Sequence, residues 1–315
     1  MGLPLVIVAG PTAVGKSDFA IELAKRINGE VISADSMQVY KGMDIGSAKI
    51  SAEEMQGIKH YLIDVLEPTE DFNVATFKEL AKAAIAEIAT KGKIPIVAGG
   101  TGFYIQALLY DIDFSESLGE NPEYRSFLIK EYREKGPEYL FDKLKELDPE
   151  TATIIHMNDE KRVVRALEFY HETGKPISVH NKEQYEKKSD YNFAYFVLND
   201  VREKIYKKID ARVDIMIDKG LVEEVKSLQV KGLNVKDVSM QGLGYKEILM
   251  YLNGEISLDE AVYRIKRDSR HFAKRQITWF KREKDVIWLN KYDFDEDMSK
   301  VLEYSLKVLT DKSIL

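Results

Sequence analysis

The sequence contains no cysteine, and none of its hydrophobic runs is long enough to cross a membrane. The lack of cysteine excludes disulfide bonds and metal sites made of thiolates. The apolar segment near the start is short and has no basic residues before it, so we expect no signal peptide, no membrane partner and a cytoplasmic location. With 315 residues, 44% of them hydrophobic, the chain can bury a core of about two domains, or of one domain with additions.

The 46 basic residues are outnumbered by 53 acidic ones, so the formal net charge is −7. This balance argues against a nucleic-acid partner, since phosphate contacts need lysine and arginine. One segment departs from the average, however, because between 264 and 284 the only acids are Asp268 and Glu283. Its basic residues are Arg264, Lys266, Arg267, Arg270, Lys274, Arg275, Lys281, Arg282 and Lys284. A basic segment in an acidic protein indicates a charged surface with a specific binding task.

The segment Leu3–Ala9 has the pattern of a buried strand and leads directly into a loop with the spacing Gly10-x-x-x-x-Gly15-Lys16-Ser17. That spacing is typical of a P-loop. In such a loop backbone N–H groups surround phosphate oxygens, the lysine reaches the same oxygens, and the serine hydroxyl can ligate Mg²⁺. A helical pattern that ends at Gly29 follows, as the motif requires. The loop therefore predicts a bound phosphoryl chain, without identifying the molecule that carries it.

Strand and helix patterns alternate up to Leu109 and resume near residue 190. Strands are predicted at 3–9, 30–33, 61–65, 94–98, 193–198 and 286–289. The alternation favours an α/β fold, a P-loop NTPase-like core with a mostly parallel sheet flanked by helices. From 115 to 189 the patterns are helical and highly charged. We therefore predict three parts: a first part of the core at 1–114, an inserted all-helical subdomain at 115–189, and at 190–315 the completion of the core with a basic, helical C-terminal region.

An acidic residue at a strand end is expected near the P-loop, and Asp35 is better placed for this than Asp64. Asp35 directly follows the second predicted strand, at the sheet edge where ligands of such folds bind. The alternative is that Asp35 only forms a turn or caps a helix. Thr101, in Gly99-Gly-Thr-Gly102, also has two interpretations: it caps the following helix, or it contacts the substrate.

Two groups of cations admit a structural and a functional interpretation. Arg212 lies between Asp210 and Asp214 on a predicted helix, so it either forms surface ion pairs or closes over the phosphates. Lys161, Arg162 and Arg165 share one helical turn, which usually indicates a solvated face.

Several motifs, spread over almost the whole chain, resemble those of the bacterial tRNA dimethylallyltransferases. They are Gly10-Pro-Thr-Ala-Val-Gly-Lys-Ser17, Asp35-Ser-Met-Gln-Val-Tyr-Lys-Gly-Met-Asp-Ile-Gly-Ser-Ala-Lys49, Gly99-Gly-Thr-Gly102, Asn158-Asp159 with Arg165-Ala-Leu-Glu168, Gly244-Tyr-Lys-Glu247 and Ala273-Lys-Arg-Gln-Ile-Thr-Trp279. The second and the last of these runs are close to diagnostic. Ser17 stands where many relatives have threonine, which keeps the hydroxyl. The zinc finger of eukaryotic relatives is absent, as the lack of cysteine requires.

The resemblance implies transfer of a dimethylallyl group from dimethylallyl diphosphate to the exocyclic N6 amine of the adenosine 3′ of the anticodon in tRNA, with Mg²⁺. Asp35 would be the general base, Thr101 would hold the amine, and Ser17 would ligate the metal. Diphosphate would be bound by Gly10, Pro11, Thr12, Ala13, Val14, Gly15, Lys16, Ser17 and Arg212. The adenine would have to be extruded from the anticodon loop to reach this site.

The resemblance also implies an extended tRNA surface on a protein that we expect to be a monomer. Its residues are Asp35, Ser36, Met37, Gln38, Thr101, Arg125, Lys161, Arg162, Val163, Val164, Arg165, Gln241, Gly242, Leu243, Gly244, Tyr245, Lys246, Lys274, Arg275, Gln276 and Lys281. The inserted subdomain and the basic C-terminal helix would clamp the anticodon stem-loop. Because only this surface must be basic, the negative net charge is no objection.

Two other classes of function compete with this one. A small-molecule kinase or NTPase would use the P-loop equally well, but it leaves the basic helix and the charged insertion without a task. An RNA-binding protein with an inactive P-loop would explain the basic segment, but it gives no reason for the Asp35 and Thr101 loops.

Overall fold

The computed structural model describes residues 2–112 and 121–315. The chain forms two compact units: Met1–Leu108 with Asp190–Leu315, and Leu109–Ser189. The predicted boundary between 114 and 115 lies outside the described residues. Within the described ranges, every helix is too short or too polar to cross a membrane.

The larger unit is built on a six-stranded sheet with the order β3-β2-β4-β1-β5-β6. The strands are β1 (Leu3–Ala9), β2 (Gly29–Ala34), β3 (His60–Tyr61), β4 (Ile94–Gly99), β5 (Tyr191–Asn199) and β6 (Val286–Asn290). All neighbouring pairs are parallel. The carboxyl ends of the strands therefore share one edge, where loops of such sheets bind ligands.

The third strand is shorter than the predicted 61–65. Leu62 and Asp64 have left-handed backbone angles, with φ of 62° and 54°. An extended strand cannot continue through such residues, so β3 ends at Tyr61. The first strand has the predicted bounds, and the other predicted strands are present with at least one end shifted by one or two residues.

Helices cover the sheet and complete the larger unit. They are α1 (Lys16–Ile27), α2 (Val74–Thr90) and α3 (Gly102–Leu109), and, after the inserted unit, α9 (Arg202–Asp218), α10 (Leu221–Val230), α11 (Tyr245–Leu252), α12 (Leu258–Phe280) and α13 (Met298–Asp311). Gly220, with φ of 96°, separates α9 from α10. On one face of the sheet, Phe19 and Leu23 of α1 and Leu309 of α13 pack with Val8 and Phe196 in a single apolar cluster.

The smaller unit consists of helices in its described part. They are α4 (Pro122–Lys135), α5 (Pro137–Leu147), α6 (Pro149–Ile154), α7 (Glu160–Thr173) and α8 (Ile177–Glu186). Leu128, Leu140 and Leu144 pack with Val163 and Leu167 to form its core. Asp148 is buried, and it accepts hydrogen bonds from Thr151 N at 3.0 Å and Ser178 N at 2.9 Å. This carboxylate therefore caps α6 and ties it to the start of α8.

Candidate active site

Three loops begin side by side at the carboxyl edge of the sheet. Gly99, the last residue of β4, pairs with Ala34 of β2 on one side and with Ala9 of β1 on the other. A Cβ atom on Gly99 would lie 2.2 Å from the Ala34 carbonyl oxygen, so the strands approach closely at this point only because the residue is glycine. The P-loop, the Asp35 loop and the Thr101 loop are thereby brought together.

The P-loop has backbone angles that its glycines permit. Gly10 has φ of 145°, and a Cβ atom there would lie 2.4 Å from the Leu198 carbonyl oxygen of β5; Gly15 has φ of 94°. Because α1 begins at Lys16, the unpaired N–H groups of its first turn belong to this loop. Lys16 Nζ donates to Pro11 O at 2.8 Å, which keeps the ammonium on the same loop. The arrangement is that of an anion site at a helix N-terminus.

Two cations at this loop are electrostatically unfavourable as they stand. Burial and the nearby Arg212 lower the pKa of Lys16 to about 8, against the opposing effect of Asp35. Burial also lowers the pKa of Arg212, although Asp18 and Asp35 counteract it. A bound polyanion would relieve both the desolvation and the mutual repulsion, so the pair favours a multiply charged phosphate ligand.

The neighbours of Arg212 on α9 do not serve as its ion-pair partners. Asp210 pairs with Arg270 and Asp214 pairs with Lys266, both of which belong to α12. Of the two interpretations of Arg212, the structure therefore favours the one in which it acts at the phosphate loop.

Asp35 forms a turn and also lies within the field of the anion site. Its Oδ1 accepts from Met37 N at 2.8 Å and Gln38 N at 3.3 Å. Both bonds use the same oxygen, and Oδ2 makes no hydrogen bond with the described part of the chain. Asp35 acts on the charges of Lys16, Arg212 and Tyr104. The turn-forming role is thus real, and it leaves one oxygen available for proton transfer.

The loop that follows Asp35 is held by a carboxylate far away in sequence. Glu224 of α10 accepts from the backbone N–H groups of Asp44 at 2.9 Å, Ile45 at 2.8 Å and Gly46 at 3.1 Å. The Tyr245 hydroxyl donates to the same carboxylate at 2.7 Å, and burial and Glu224 raise the pKa of Tyr245. Charge-assisted bonds of this kind contribute about 1.5–3 kcal/mol each. Glu224 was not among the predicted site residues.

The residues predicted to contact tRNA separate into exposed and buried sets. The exposed ones are Arg125, Lys161, Arg162, Gln241, Lys246, Lys274, Arg275 and Lys281; the partly buried ones are Asp35, Ser36, Met37, Gln38, Thr101, Arg165, Gly242 and Leu243. Arg125 and Arg165 both pair with the buried Glu168, at 2.8 Å and 3.4 Å. The exposed set carries the positive charge that an RNA backbone attracts.

Five members of the predicted tRNA-binding set are buried. Val163 and Val164 belong to the core of the smaller unit, Gly244 and Tyr245 are buried, and Gln276 is 6% exposed. These five residues are thus shielded from solvent in the structure, and their predicted contact with tRNA stays a prediction. The helical periodicity of α7 already predicts that the two valines are buried, because both lie on its apolar face.

Sequence comparison adds an independent line of evidence. The sequence model of the family described as IPP transferase matches residues 38–283. A tRNA dimethylallyltransferase from Lachnoclostridium phytofermentans is 58% identical over 312 residues, which cover 99% of this chain and 99% of that protein. The chain belongs to the tRNA dimethylallyltransferase family. The predicted family and the predicted enzyme class, a tRNA prenyltransferase, are thus confirmed.

Solved structures of this family have the same fold. The full-length tRNA isopentenylpyrophosphate transferase from Bacillus halodurans is 42% identical, with 98% of each chain covered and a TM-score of 0.74. A eukaryotic dimethylallyltransferase acting on tRNA is 31% identical, with 98% of this chain and 79% of that chain covered and a TM-score of 0.83. The predicted P-loop NTPase-like fold of the tRNA dimethylallyltransferases is confirmed.

Proposed function

We propose that the enzyme transfers the dimethylallyl group of dimethylallyl diphosphate to the exocyclic N6 amine of the adenosine 3′ of the tRNA anticodon and releases diphosphate. The observation that carries this proposal is the pair of cations, Lys16 and Arg212, at a P-loop that lies beside an aspartate and a threonine. The family supports the type of reaction, and the cations at the P-loop support the binding of its diphosphate there.

The leaving group is proposed to bind at the P-loop. As the allylic C–O bond breaks, negative charge develops on the diphosphate oxygens. Backbone N–H groups of the loop, the Lys16 ammonium and the Arg212 guanidinium would stabilise this charge. Because these groups are already fixed around the loop, little reorganisation is needed during the reaction.

Mg²⁺ fits this site as a partner of the diphosphate. The described residues contain no cluster of three or more His, Asp or Glu side chains that would hold a metal by themselves. Mg²⁺ commonly binds through substrate phosphates, water and one or two protein oxygens, and the Ser17 hydroxyl at the start of α1 is such an oxygen. When bound, the metal would supply further charge neutralisation on the leaving oxygens.

The acceptor amine is proposed to approach from the Asp35 and Thr101 loops. Its nitrogen forms a bond to the allylic carbon while the C–O bond breaks, and one N–H proton passes to Asp35 as positive charge develops on the nitrogen. Such general-base assistance is typically worth ~10²–10⁴-fold in rate. Thr101 would orient the amine. A stacked adenine cannot reach this position, so the base is proposed to be flipped out of the anticodon loop.

The exposed cations of both units are proposed to contact the tRNA backbone. We also propose that the enzyme works as a monomer in the cytoplasm.

The test of the reaction is incubation with labelled dimethylallyl diphosphate, Mg²⁺ and an unmodified anticodon stem-loop, followed by nucleoside analysis. The expected product is N6-dimethylallyladenosine with release of diphosphate. A parallel incubation with γ-labelled ATP tests the kinase alternative. Transfer of that label to a small molecule, with no prenylated nucleoside in the first assay, would support a kinase.

A further inference from the structure

The basic helix α12 presents two different faces. Lys274, Thr278 and Lys281, at the end of the helix, line an open cleft of about 510 Å³. The opposite face carries Gln276 and Trp279, which are spaced by three residues and so lie on the same side. The outer face is the one that the proposed function assigns to RNA, and the inner face meets the catalytic loops.

The Gln276 amide connects two of these loops directly. Its Oε1 accepts from Thr12 N of the P-loop at 2.8 Å, and its Nε2 donates to Gly100 O of the Thr101 loop at 3.0 Å. The side chain is 6% exposed, so neither bond competes strongly with water. One buried side-chain amide is therefore hydrogen-bonded to the backbone of both the P-loop and the Thr101 loop.

Two glycines near Thr101 allow close contact with this face of the helix. A Cβ atom on Gly100 would lie 2.2 Å from Gln276 Nε2, and one on Gly102 would lie 2.2 Å from Trp279 Cδ1. One helical turn further on, just after α12, Glu283 accepts from Gln106 Nε2 of α3 at 3.1 Å. Three successive contacts thus pair the end of α12 and the residues that follow it with Gly100 and the helix α3.

We propose that Gln276 is a positioning residue for the transfer reaction, setting the separation of the P-loop from the Thr101 loop and hence of the allylic carbon from the acceptor amine. This inference rests on the proposed function. It assigns to Gln276 a role different from the tRNA contact that the family resemblance implies. A displacement of about 1 Å at reacting groups can cost on the order of 10²-fold in rate, so the effect belongs in kcat.

The test compares Gln276→Met with wild type in single-turnover and steady-state prenylation of an anticodon stem-loop. We expect kcat to fall by about 10- to 100-fold, while the KM for RNA and the salt dependence of RNA binding change by less than about threefold. Gln276→Glu is the second variant. It keeps the oxygen that accepts from Thr12 N but loses the N–H that donates to Gly100 O, so we expect it to lower kcat as well. This variant provides the test if Gln276→Met does not fold.

Two matched variants separate positioning from RNA contact. Arg275→Gln, at the adjacent exposed position, should raise the KM for RNA and reduce the salt slope with a smaller change in kcat. Gln229→Met makes the same substitution at a partly buried glutamine that donates a hydrogen bond to Asn253, and it should leave all parameters within about twofold of wild type. An increase in the KM for RNA with unchanged kcat in both Gln276 variants would overturn the proposal.

A double-mutant cycle tests the geometry itself. Gly100→Ala should be strongly impaired in the wild-type background, because its Cβ would meet Gln276 Nε2. The same change should cost clearly less when Gln276 is replaced by Ser, because the shorter side chain removes that clash. Additive effects of the two changes would contradict the contact. If wild type itself forms no prenylated nucleoside, the proposed function fails, whereas an active wild type with a fully active Gln276→Met refutes only the positioning role.

Discussion

Positive charge is held in opposite ways at the P-loop and on the outer face of α12. Lys16 is partly buried, and its pKa is lowered to about 8 by burial and by Arg212. Lys274, Arg275 and Lys281 are exposed to solvent. A desolvated charge acts strongly over a short range, whereas an exposed one is weak, additive and screened by salt. The first arrangement suits the stabilisation of a leaving group, and the second suits reversible attraction of a long polyanion.

The largest effect is expected from Asp35→Asn. The amide retains an oxygen that can accept from Met37 N and Gln38 N, so the turn is kept while the base is lost. We expect turnover to fall by ~10²–10⁴-fold, with RNA affinity close to that of wild type, measured by single-turnover prenylation and filter binding. Asp64→Asn is the matched control, because Asp64 lies outside the anion site and pairs with Lys49. Full turnover by Asp35→Asn would remove Asp35 as the base.

The next effect concerns Lys16 and its pKa. In the free enzyme the ammonium that binds the anion loses its proton above about pH 8. The affinity for dimethylallyl diphosphate should therefore be constant below pH 8 and fall by up to about tenfold per pH unit above it. Titration calorimetry between pH 6.5 and 9.5 measures this. Lys16→Met should bind at least about tenfold more weakly at pH 7 and should lack the bend near pH 8; a bend that persists in Lys16→Met would assign the titration to another group.

A smaller effect is expected from the exposed cations. Lys274→Ala combined with Arg275→Ala should raise the KM for tRNA by about tenfold and reduce the slope of log affinity against log salt by about 1–2. Binding measured between 50 and 300 mM salt gives both quantities. Lys300→Ala with Lys307→Ala on α13 removes the same charge from another helix and should leave the slope unchanged. An unaltered slope in the α12 variant would mean that this face does not contact RNA.

The smallest effect concerns stability at Glu283. Burial raises the pKa of Glu283 to about 7, despite the opposing influence of Trp279 and Lys284. Because the folded pKa lies above the usual value, the penalty is absent at acidic pH, develops from about pH 4.5 to 7, and is complete above pH 7. Glu283→Gln should stabilise the protein by about 1–2 kcal/mol at pH 8 and by almost nothing at pH 4.5. Melting temperatures at both pH values test this, and equal shifts would contradict the assigned pKa.

The parts of the fold that rest on local patterns could be predicted from the sequence. The P-loop is one such part, because strand, glycine spacing and helix are contiguous. The predicted end of β3 was wrong because Leu62 and Asp64 adopt left-handed angles, which aspartate tolerates but leucine rarely adopts. The roles of Glu224 and Gln276 could not be predicted, because their partners lie 180 and 264 residues away in sequence. The burial of Val163 and Val164 could be predicted, since the periodicity of α7 assigns both residues to its apolar face.

The carboxylate of Glu224 has a consequence for how the active site comes into being. Every group proposed to perform chemistry, apart from Arg212, lies within the first 101 residues, yet the Asp35 loop is tied at Asp44, Ile45 and Gly46 to a side chain of α10. A nascent chain that has just completed β4 therefore contains the motifs without the bond that orders this loop. The hydrogen bonds that hold the Asp35 loop at Asp44, Ile45 and Gly46 can therefore form only after α10 has been synthesised.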